Sequence, residues 1–166
     1  MNNNNQSQTK EYLTFWLGKE YYAIDILTVQ EIRTYDQVTT VVNMPSFIKG
    51  VMNLRGVVIP IVDMRIKFNL THITYNETTV VIILNIDDRI VGIVVDTVAD
   101  VILLQEQQIQ PPPNFASALD TKFIKGLAAQ DQDMLVLINI KKLMNSKEMA
   151  LFEQISADGT TQQTEV

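Results

Sequence analysis

The chain has 166 residues, 46% of them hydrophobic, and its formal net charge is -6 at pH 7. The hydrophobic share is enough for a packed core and excludes a largely disordered chain. The acidic balance argues against binding to nucleic-acid phosphates or to an anionic membrane, and the absence of cysteine excludes disulfides, thiolate nucleophiles and thiolate metal sites.

The two ends of the chain are polar. Residues 1–10 are rich in Asn and Gln and contain no apolar stretch, so we expect a disordered tail rather than a secretion signal. A second disordered tail is expected at 157–166, which leaves one folded unit over 11–156. No apolar run approaches the roughly 18 residues of a membrane-spanning helix. We therefore expect a soluble, cytoplasmic protein.

Short apolar runs between the tails predict β-strands. Leu13, Phe15 and Leu17 lie at alternate positions, and a turn at 18–20 separates them from a second alternating run that ends near Ile26. Runs rich in β-branched residues pack well on a pleated surface, and they predict further strands at 57–62, 80–86, 90–95, 98–104 and 134–138. Pro60 lacks the N–H of a ladder bond, which places its strand at a sheet edge or at a bulge.

The strongest pattern along the chain is an internal repeat. At an offset of about 69 residues, the segment 13–32 matches 82–101 in its apolar and small residues, and near the end of the repeat the offset becomes about 76, with 47–50 recurring as 123–126. The extra residues of the second copy include three prolines at 111–113. A series of matches at constant offsets predicts a duplication, with related halves at about 11–78 and 79–145.

The repeat predicts a mainly all-β fold. Each half has room for about five short strands, and sheets of this size avoid exposed edges by closing into barrels. Two five-stranded β-barrels packed together are the preferred architecture, and a single larger sandwich is the alternative. A helix is predicted at 146–156, because Ser146 is a good N-cap and apolar residues follow at helical spacing. Its apolar face either packs on a barrel or binds a partner.

Residues able to support catalysis are present but do not form a motif. His72 is the only histidine, and no metal or phosphate motif accompanies it. Asp63 and Asn139 occupy matching positions after a strand in the two halves, as turn or cap residues do. We therefore expect no enzyme activity, no metal and no cofactor. An acid–base pair stays open among the carboxylates Asp25, Glu31, Asp63, Asp96 and Asp100.

The halves differ most at a basic turn. Asn53-Leu54-Arg55-Gly56 stands where the second half has Ala129-Gln130-Asp131-Gln132, and the stretch 49–67 has four basic residues and one acidic residue. Arginine binds carboxylates bidentately, so this turn is a candidate docking site for an acidic partner. The alternative is a solvated hairpin in which Gly56 supplies a positive φ.

Three segments resemble a known family. The stretches YAIDILTVQEIRTY at 22–35, FIKGVMNLRGVVIPIVDMRIKF at 47–68 and IVGIVVDTVAD at 90–100 are similar to the CheW-like domains of chemotaxis coupling proteins, and the resemblance covers about 11–156. The NLRG segment followed by a PIVD run is a specific signature. The resemblance implies two SH3-like barrels, no catalysis and no cofactor.

The same resemblance implies partners and binding residues. Members of this family bridge chemoreceptors, the methyl-accepting chemotaxis proteins, to the regulatory domain of the histidine kinase CheA in an array. The receptor helix lies in a groove between the barrels, which points to Val29, Glu31, Arg55, Val58 and Val80 as receptor-binding residues.

The kinase contact is placed by the resemblance near 111–115. Phe115 is the expected kinase-binding anchor, and a place in the core is the alternative for it. Gln110 stands where relatives are expected to have a basic residue, so this chain has a hydrogen-bonding group or no contact there. Nucleic-acid binding by a small barrel is a further alternative that would need aromatic and basic residues on one face.

Overall fold

The described part of the chain folds into ten β-strands and two short helices. The computed structural model describes residues 8–36, 38–113 and 121–145. The strands are β1 (Thr9–Leu17), β2 (Glu20–Asp25), β3 (Val29–Thr34), β4 (Ile48–Leu54), β5 (Val57–Asp63), β6 (Val80–Ile86), β7 (Arg89–Val95), β8 (Thr97–Gln105), β9 (Ile124–Gln130) and β10 (Asp133–Ile138). Helix α1 (Met64–Lys67) follows β5, and α2 (Ile140–Met144) follows β10.

The strands form two five-stranded sheets with the same internal plan. The first sheet has the order β8-β1-β2-β10-β9, and the second has the order β3-β6-β7-β5-β4. Strand for strand, the two orders are related by the repeat, since β1 corresponds to β6, β2 to β7 and β3 to β8. Each sheet contains one parallel pair, β2 with β10 and β5 with β7. The mainly β class and the two five-stranded sheets are confirmed.

The structure differs from the sequence-based picture in how the halves contribute to the sheets. Strands β1 and β2 from the first half pair with β8, β9 and β10 from the second, while β6 and β7 join β3, β4 and β5. A sequence half is therefore not a barrel. Local pairing rules do not decide this, because a strand satisfies its hydrogen bonds equally well with a partner from either half.

The central strands are apolar on both faces because they separate two cores. In β1 and β2, Tyr12, Tyr21 and Ala23 face the interior of the first sheet, while Phe15 and Tyr22 enter a core shared with the second sheet. Strands β6 and β7 alternate in the same way between this shared core and their own interior. The shared cluster, called here the inter-sheet core, explains why these runs are nearly continuous in apolar residues.

Each sheet curls because the chain beyond one edge strand pairs with the opposite edge. After β3, Thr39 exchanges two backbone hydrogen bonds of 2.8 Å with Val51 of β4. After β8, Gln110 makes the equivalent pair with Leu127 of β9, at 2.8 and 2.7 Å. A Cβ at Gly50 would lie 1.9 Å from the Thr39 carbonyl oxygen. Only glycine permits this close approach.

Two local expectations need correction. Pro60 is not on an edge strand, because β5 lies between β4 and β7, although the β4–β5 register does shift close to it, between Ile48 and Gly50. Its pairing with β7 begins only at Ile61, so Pro60 still has a strand on one side alone and no ladder bond is lost. Strand β1 begins at Thr9, two residues before the expected boundary at 11. The predicted helix at 146–156 and the tail at 157–166 lie outside the described residues.

Candidate functional site

The turn between β4 and β5 is a tight two-residue hairpin that projects Arg55. Leu54 pairs with Val57, so Arg55 and Gly56 form the loop, with φ of 51° and 87°. Positive φ at both positions is typical of a type I′ turn, whose twist matches that of the strands. The Asn53 side chain accepts a hydrogen bond of 2.9 Å from the Gly56 N–H and closes the turn. The prediction of a positive φ at Gly56 is confirmed.

Arg55 reaches Glu31 on the opposite edge strand of the same sheet. The Arg55 Nη2 lies 3.4 Å from a Glu31 carboxylate oxygen, and the Arg33 Nη1 lies 3.7 Å from the other. Two arginines share one carboxylate, so the three side chains carry a net charge of +1. The Arg55 side chain is 63% exposed, and exposed pairs contribute only about 0–1 kcal/mol. A partner carboxylate can therefore replace Glu31 at little cost.

Exposed apolar side chains lie on the strands that carry this charged cluster. Val57 and Val58 of β5 directly follow the turn and are 55% and 65% exposed. Ile32 lies between Glu31 and Arg33 on β3 and is 44% exposed. Apolar side chains combined with charged neighbours are typical of protein-binding surfaces. Sequence reasoning missed Ile32, Arg33 and Val57, although each is adjacent to a predicted site residue.

The five predicted receptor-binding residues are only partly brought together. Glu31 and Arg55 are in contact, and Val58 lies in the same hairpin as Arg55. Val29 pairs with Leu84 at one end of the β3–β6 ladder, whereas Val80 pairs with Thr34 at the other end. Both valines are half-buried against the inter-sheet core. They are therefore less accessible than Val58 and lie apart from each other.

The other basic residues of the stretch 49–67 are not part of this exposed surface. Arg65 is buried and makes ion pairs with Asp63 and Asp96. Lys67 lies over the Phe47 ring, and burial together with the nearby Lys122 lowers the pKa of Lys67. Lys49 lies over a tyrosine ring. The turn thus projects one arginine rather than a basic patch.

The carboxylates that the sequence offered for an acid–base pair have local hydrogen-bond partners. Asp25 caps the 3-10 turn at Ile26–Thr28 by accepting from Leu27 N, and Asp63 caps α1 by accepting from Arg65 N. Asn139 caps α2 at the position equivalent to Asp63, which confirms that pair as cap residues. Within the described ranges, no group of three His, Asp or Glu side chains has the arrangement of a metal site.

Of the two residues considered for the kinase contact, only Gln110 is described, and it lies beside the first sheet. Phe115 falls outside the described residues. Gln110 uses its backbone to bind Leu127, and it lines a cleft of about 400 Å³ with Lys10, Lys125 and Pro111.

Trp16 and Tyr21 stack on each other at 4.4 Å between ring centroids. Among the described helices, none is long and apolar enough to cross a membrane.

Comparison with known proteins gives a consistent result. The model of a family described as CheW-like domain matches residues 11–148. A chemotaxis protein CheW of Klebsiella aerogenes is 54% identical over 147 residues, which is 89% of each chain. A chemotaxis protein CheW of Treponema pallidum is 33% identical over 143 residues, which is 84% of each chain.

The fold has a counterpart among solved structures. The crystal structure of the scaffolding protein TtCheW from Thermoanaerobacter tengcongensis superposes with a TM-score of 0.77 at 30% sequence identity. The match covers 89% of this chain and 96% of that protein.

Proposed function

This chain belongs to the CheW-like domain family, and from that premise we propose that it is a non-catalytic adaptor of bacterial chemotaxis. It couples the cytoplasmic tips of chemoreceptors to the histidine kinase CheA and supports the assembly of receptor arrays. It acts in the cytoplasm and reaches the membrane only through its protein partners. Its match to proteins named for chemotaxis and scaffolding supports this role.

The observation that carries the receptor-binding part is the exposed Arg55–Glu31 pair with its apolar neighbours. A receptor tip is helical and offers an apolar stripe, which the exposed Val58 and Ile32 can accept because both lie on the same face of the second sheet. Arg55 and Glu31 set the register by pairing with charges on the helix, which affects specificity and association rate more than affinity. Val29 and Val80 contribute smaller, half-buried areas.

For the kinase we propose a separate surface around Phe115. This assignment is supported by the family resemblance and by the cleft at Gln110 and Pro111, which lies in the first sheet, whereas Arg55 lies in the second. Receptor and kinase can then bind at the same time. Coupling needs no bond making or breaking, and individually weak contacts gain strength in an array through multivalency.

A reconstituted kinase assay tests the proposal. The protein is mixed with CheA and a receptor cytoplasmic fragment, and kinase autophosphorylation is measured for the parent protein and for Arg55→Asp. We expect the parent to couple receptor to kinase, and Arg55→Asp to reduce the receptor-dependent change in autophosphorylation about tenfold or more, because its new charge repels the partner carboxylate.

The matched control is Asp131→Arg, a charge reversal at the equivalent turn position of the first sheet, where φ is also positive at 55°. We expect this variant to retain receptor binding. A parent protein that binds neither partner contradicts the adaptor function. Normal coupling by Arg55→Asp leaves the adaptor in place and removes the turn from the receptor surface.

A further inference from the structure

Arg65 is a buried arginine whose guanidinium makes four hydrogen bonds. Its side chain is 1% exposed, and it belongs to α1, the short helix that follows β5 of the second sheet. Nε and Nη2 donate to the two oxygens of Asp63 at 3.1 and 3.0 Å, and Nη1 donates to Asp96 at 2.9 Å and to the Thr74 carbonyl at 2.7 Å. Although burial disfavours the charged form, hydrogen bonds and attraction from Asp63 and Asp96 raise the pKa of Arg65 above its ordinary value.

Asp96 connects this cluster to the first sheet. It is the single residue between β7, which belongs to the second sheet, and β8, which belongs to the first. Its second carboxylate oxygen accepts from the Gly18 N–H in the β1–β2 turn, and its own N–H donates to the Trp16 carbonyl at 3.1 Å. A continuous chain of hydrogen bonds therefore runs from α1 to the first sheet.

The loop between α1 and β6 covers the cluster. The Tyr75 hydroxyl donates to Asp63 at 2.6 Å, and the Tyr75 ring lies 4.8 Å from the Arg65 guanidinium carbon and stacks on Tyr35. A buried ion pair adds little net stability compared with apolar packing, whereas a planar guanidinium with four hydrogen bonds fixes the relative positions of its partners. The cluster therefore contributes more to the relative positions of the groups it joins than to the free energy of unfolding.

The repeat provides an internal comparison. Lys141 is the counterpart of Arg65, and its side chain is 60% exposed in a surface pair with Asp87. Leu27 is the counterpart of Asp96 at the other crossover between sheets, and it is 87% exposed. No ion cluster is found there among residues that the structure describes. The same fold is thus built twice, but it contains the cluster once, so the fold itself does not require it.

We propose that Arg65 is a positioning residue that fixes the angle between the two sheets at the β7–β8 crossover. It thereby holds the Arg55 surface of the second sheet in a set orientation to the first sheet. The connection to partner binding rests on the function proposed above. The structural part does not, because it concerns the protein alone.

The absence of cysteine permits a direct distance measurement. Thr34 and Leu103 are exposed and occupy equivalent positions on β3 and β8, one in each sheet. Both are replaced by cysteine and spin-labelled, and the distance distribution is measured by pulsed electron paramagnetic resonance. We expect one narrow distribution in the parent and a broadened or shifted one in Arg65→Met, which retains most of the side-chain volume without the charge.

The matched control is Lys141→Met, the same change at the equivalent position, and its distribution is expected to superpose on that of the parent. Circular dichroism checks that each variant is folded. If Arg65→Met does not fold, Asp96→Asn replaces it, because it removes a charge from the crossover and keeps the shape. A folded variant whose distribution is identical to that of the parent overturns the proposal.

Receptor-fragment affinity of the unlabelled variants tests the functional part. We expect Arg65→Met to bind roughly tenfold more weakly, in the range of typical coupling between sites, and Lys141→Met to bind normally. If Arg65→Met has an altered distance between the spin labels but binds the receptor fragment normally, the positioning of the sheets does not affect partner binding. That result overturns the functional part of the proposal. If the parent binds no receptor fragment, the proposed function fails, while the distances still decide the role of Arg65.

Discussion

Tyr22 is a buried tyrosine whose hydroxyl faces a carboxylate. It lies in the inter-sheet core and donates a hydrogen bond to Glu20. Burial, followed by the hydrogen bond and the negative charge of Glu20, raises the pKa of Tyr22 well above its ordinary value of 10.0. The folded protein thus keeps a proton that the unfolded chain loses near pH 10.

This retained proton predicts a loss of stability in alkali. Because the pKa is raised by folding, the contribution of Tyr22 is fully present below pH 10 and decreases as pH rises above it, by up to about 1.4 kcal/mol per pH unit. Urea unfolding between pH 9 and 11 measures the effect. We expect the free energy of unfolding to decrease less steeply with pH in Tyr22→Phe than in the parent protein.

The parent and Tyr22→Phe differ in one hydroxyl only, so the difference between their two unfolding curves is the quantity to compare. Tyr75 has its pKa raised by burial and by Asp63, but it is 39% exposed. Tyr75→Phe should therefore change the alkaline slope less than Tyr22→Phe. Equal slopes for the parent and Tyr22→Phe would show that this hydroxyl titrates alike in both states.

Single residues differ in how far their roles follow from the sequence. The cap roles of Asp63 and Asn139 could be predicted, because the repeat places both after a strand. Arg55 could be predicted as a turn residue, and it is exposed, whereas Arg65 was only one of the basic residues of the stretch 49–67, and its burial was not predicted. Burial of Arg65 depends on Asp96, 31 residues away, and no local pattern indicates that contact.

At the scale of elements, hydrophobic patterning predicted the central strands well. Strands β6 and β7 are buried on both faces, so their composition is distinctive. Strand β3 was not predicted, because it lies at an edge and has Gln30, Glu31, Arg33 and Thr34 at four of its six positions. An edge strand with one solvated side resembles a loop in composition.

The bridge that curls the second sheet predicts a sensitive glycine. Gly50 has a φ of 145°, and an added Cβ would collide with the backbone of Thr39. Strain and loss of this bridge should together lower the free energy of unfolding by about 3 kcal/mol in Gly50→Ala. Chemical denaturation with a fluorescence or circular dichroism readout measures the change.

Gly56 provides the control for this prediction. Its φ is 87°, but no atom lies within 4 Å of an added Cβ. Gly56→Ala should cost only about 1 kcal/mol, from backbone strain alone. If the two substitutions destabilise equally, close approach at Thr39 is not what requires glycine.

At the scale of the whole molecule, the sequence predicted the duplication but not the exchange of strands. Matching residues at offsets of 69 and 76 show that the halves are alike, and they are silent on which half supplies the neighbour of each strand. In the structure, β1 and β2 meet β6 and β7 across the inter-sheet core, where Phe15, Tyr22, Ile82 and Ile93 pack together. The same pattern was compatible with two separate barrels.

Strand exchange predicts that neither half folds alone. A fragment 1–78 contains β1 to β5, but each of β1, β2, β3 and β5 lacks a neighbour that the second half supplies, and 79–166 has the complementary deficit. Circular dichroism of each fragment should indicate an unfolded chain, and an equimolar mixture should regain the β spectrum of the intact protein. Independent folding of either fragment would contradict this account of the topology.

The exchange also bears on how such a chain arose. A polypeptide with a single repeat would hold two strands of one sheet and three of the other, and it could complete neither. Two identical copies would supply each other's missing strands and form a swapped homodimer with two-fold symmetry. Fusion of the two copies permits them to differ, and here one crossover has a buried ion cluster while its counterpart has an exposed leucine. A homodimer of a single repeat would have the same residues at both crossovers, so this difference requires that the two repeats belong to one chain.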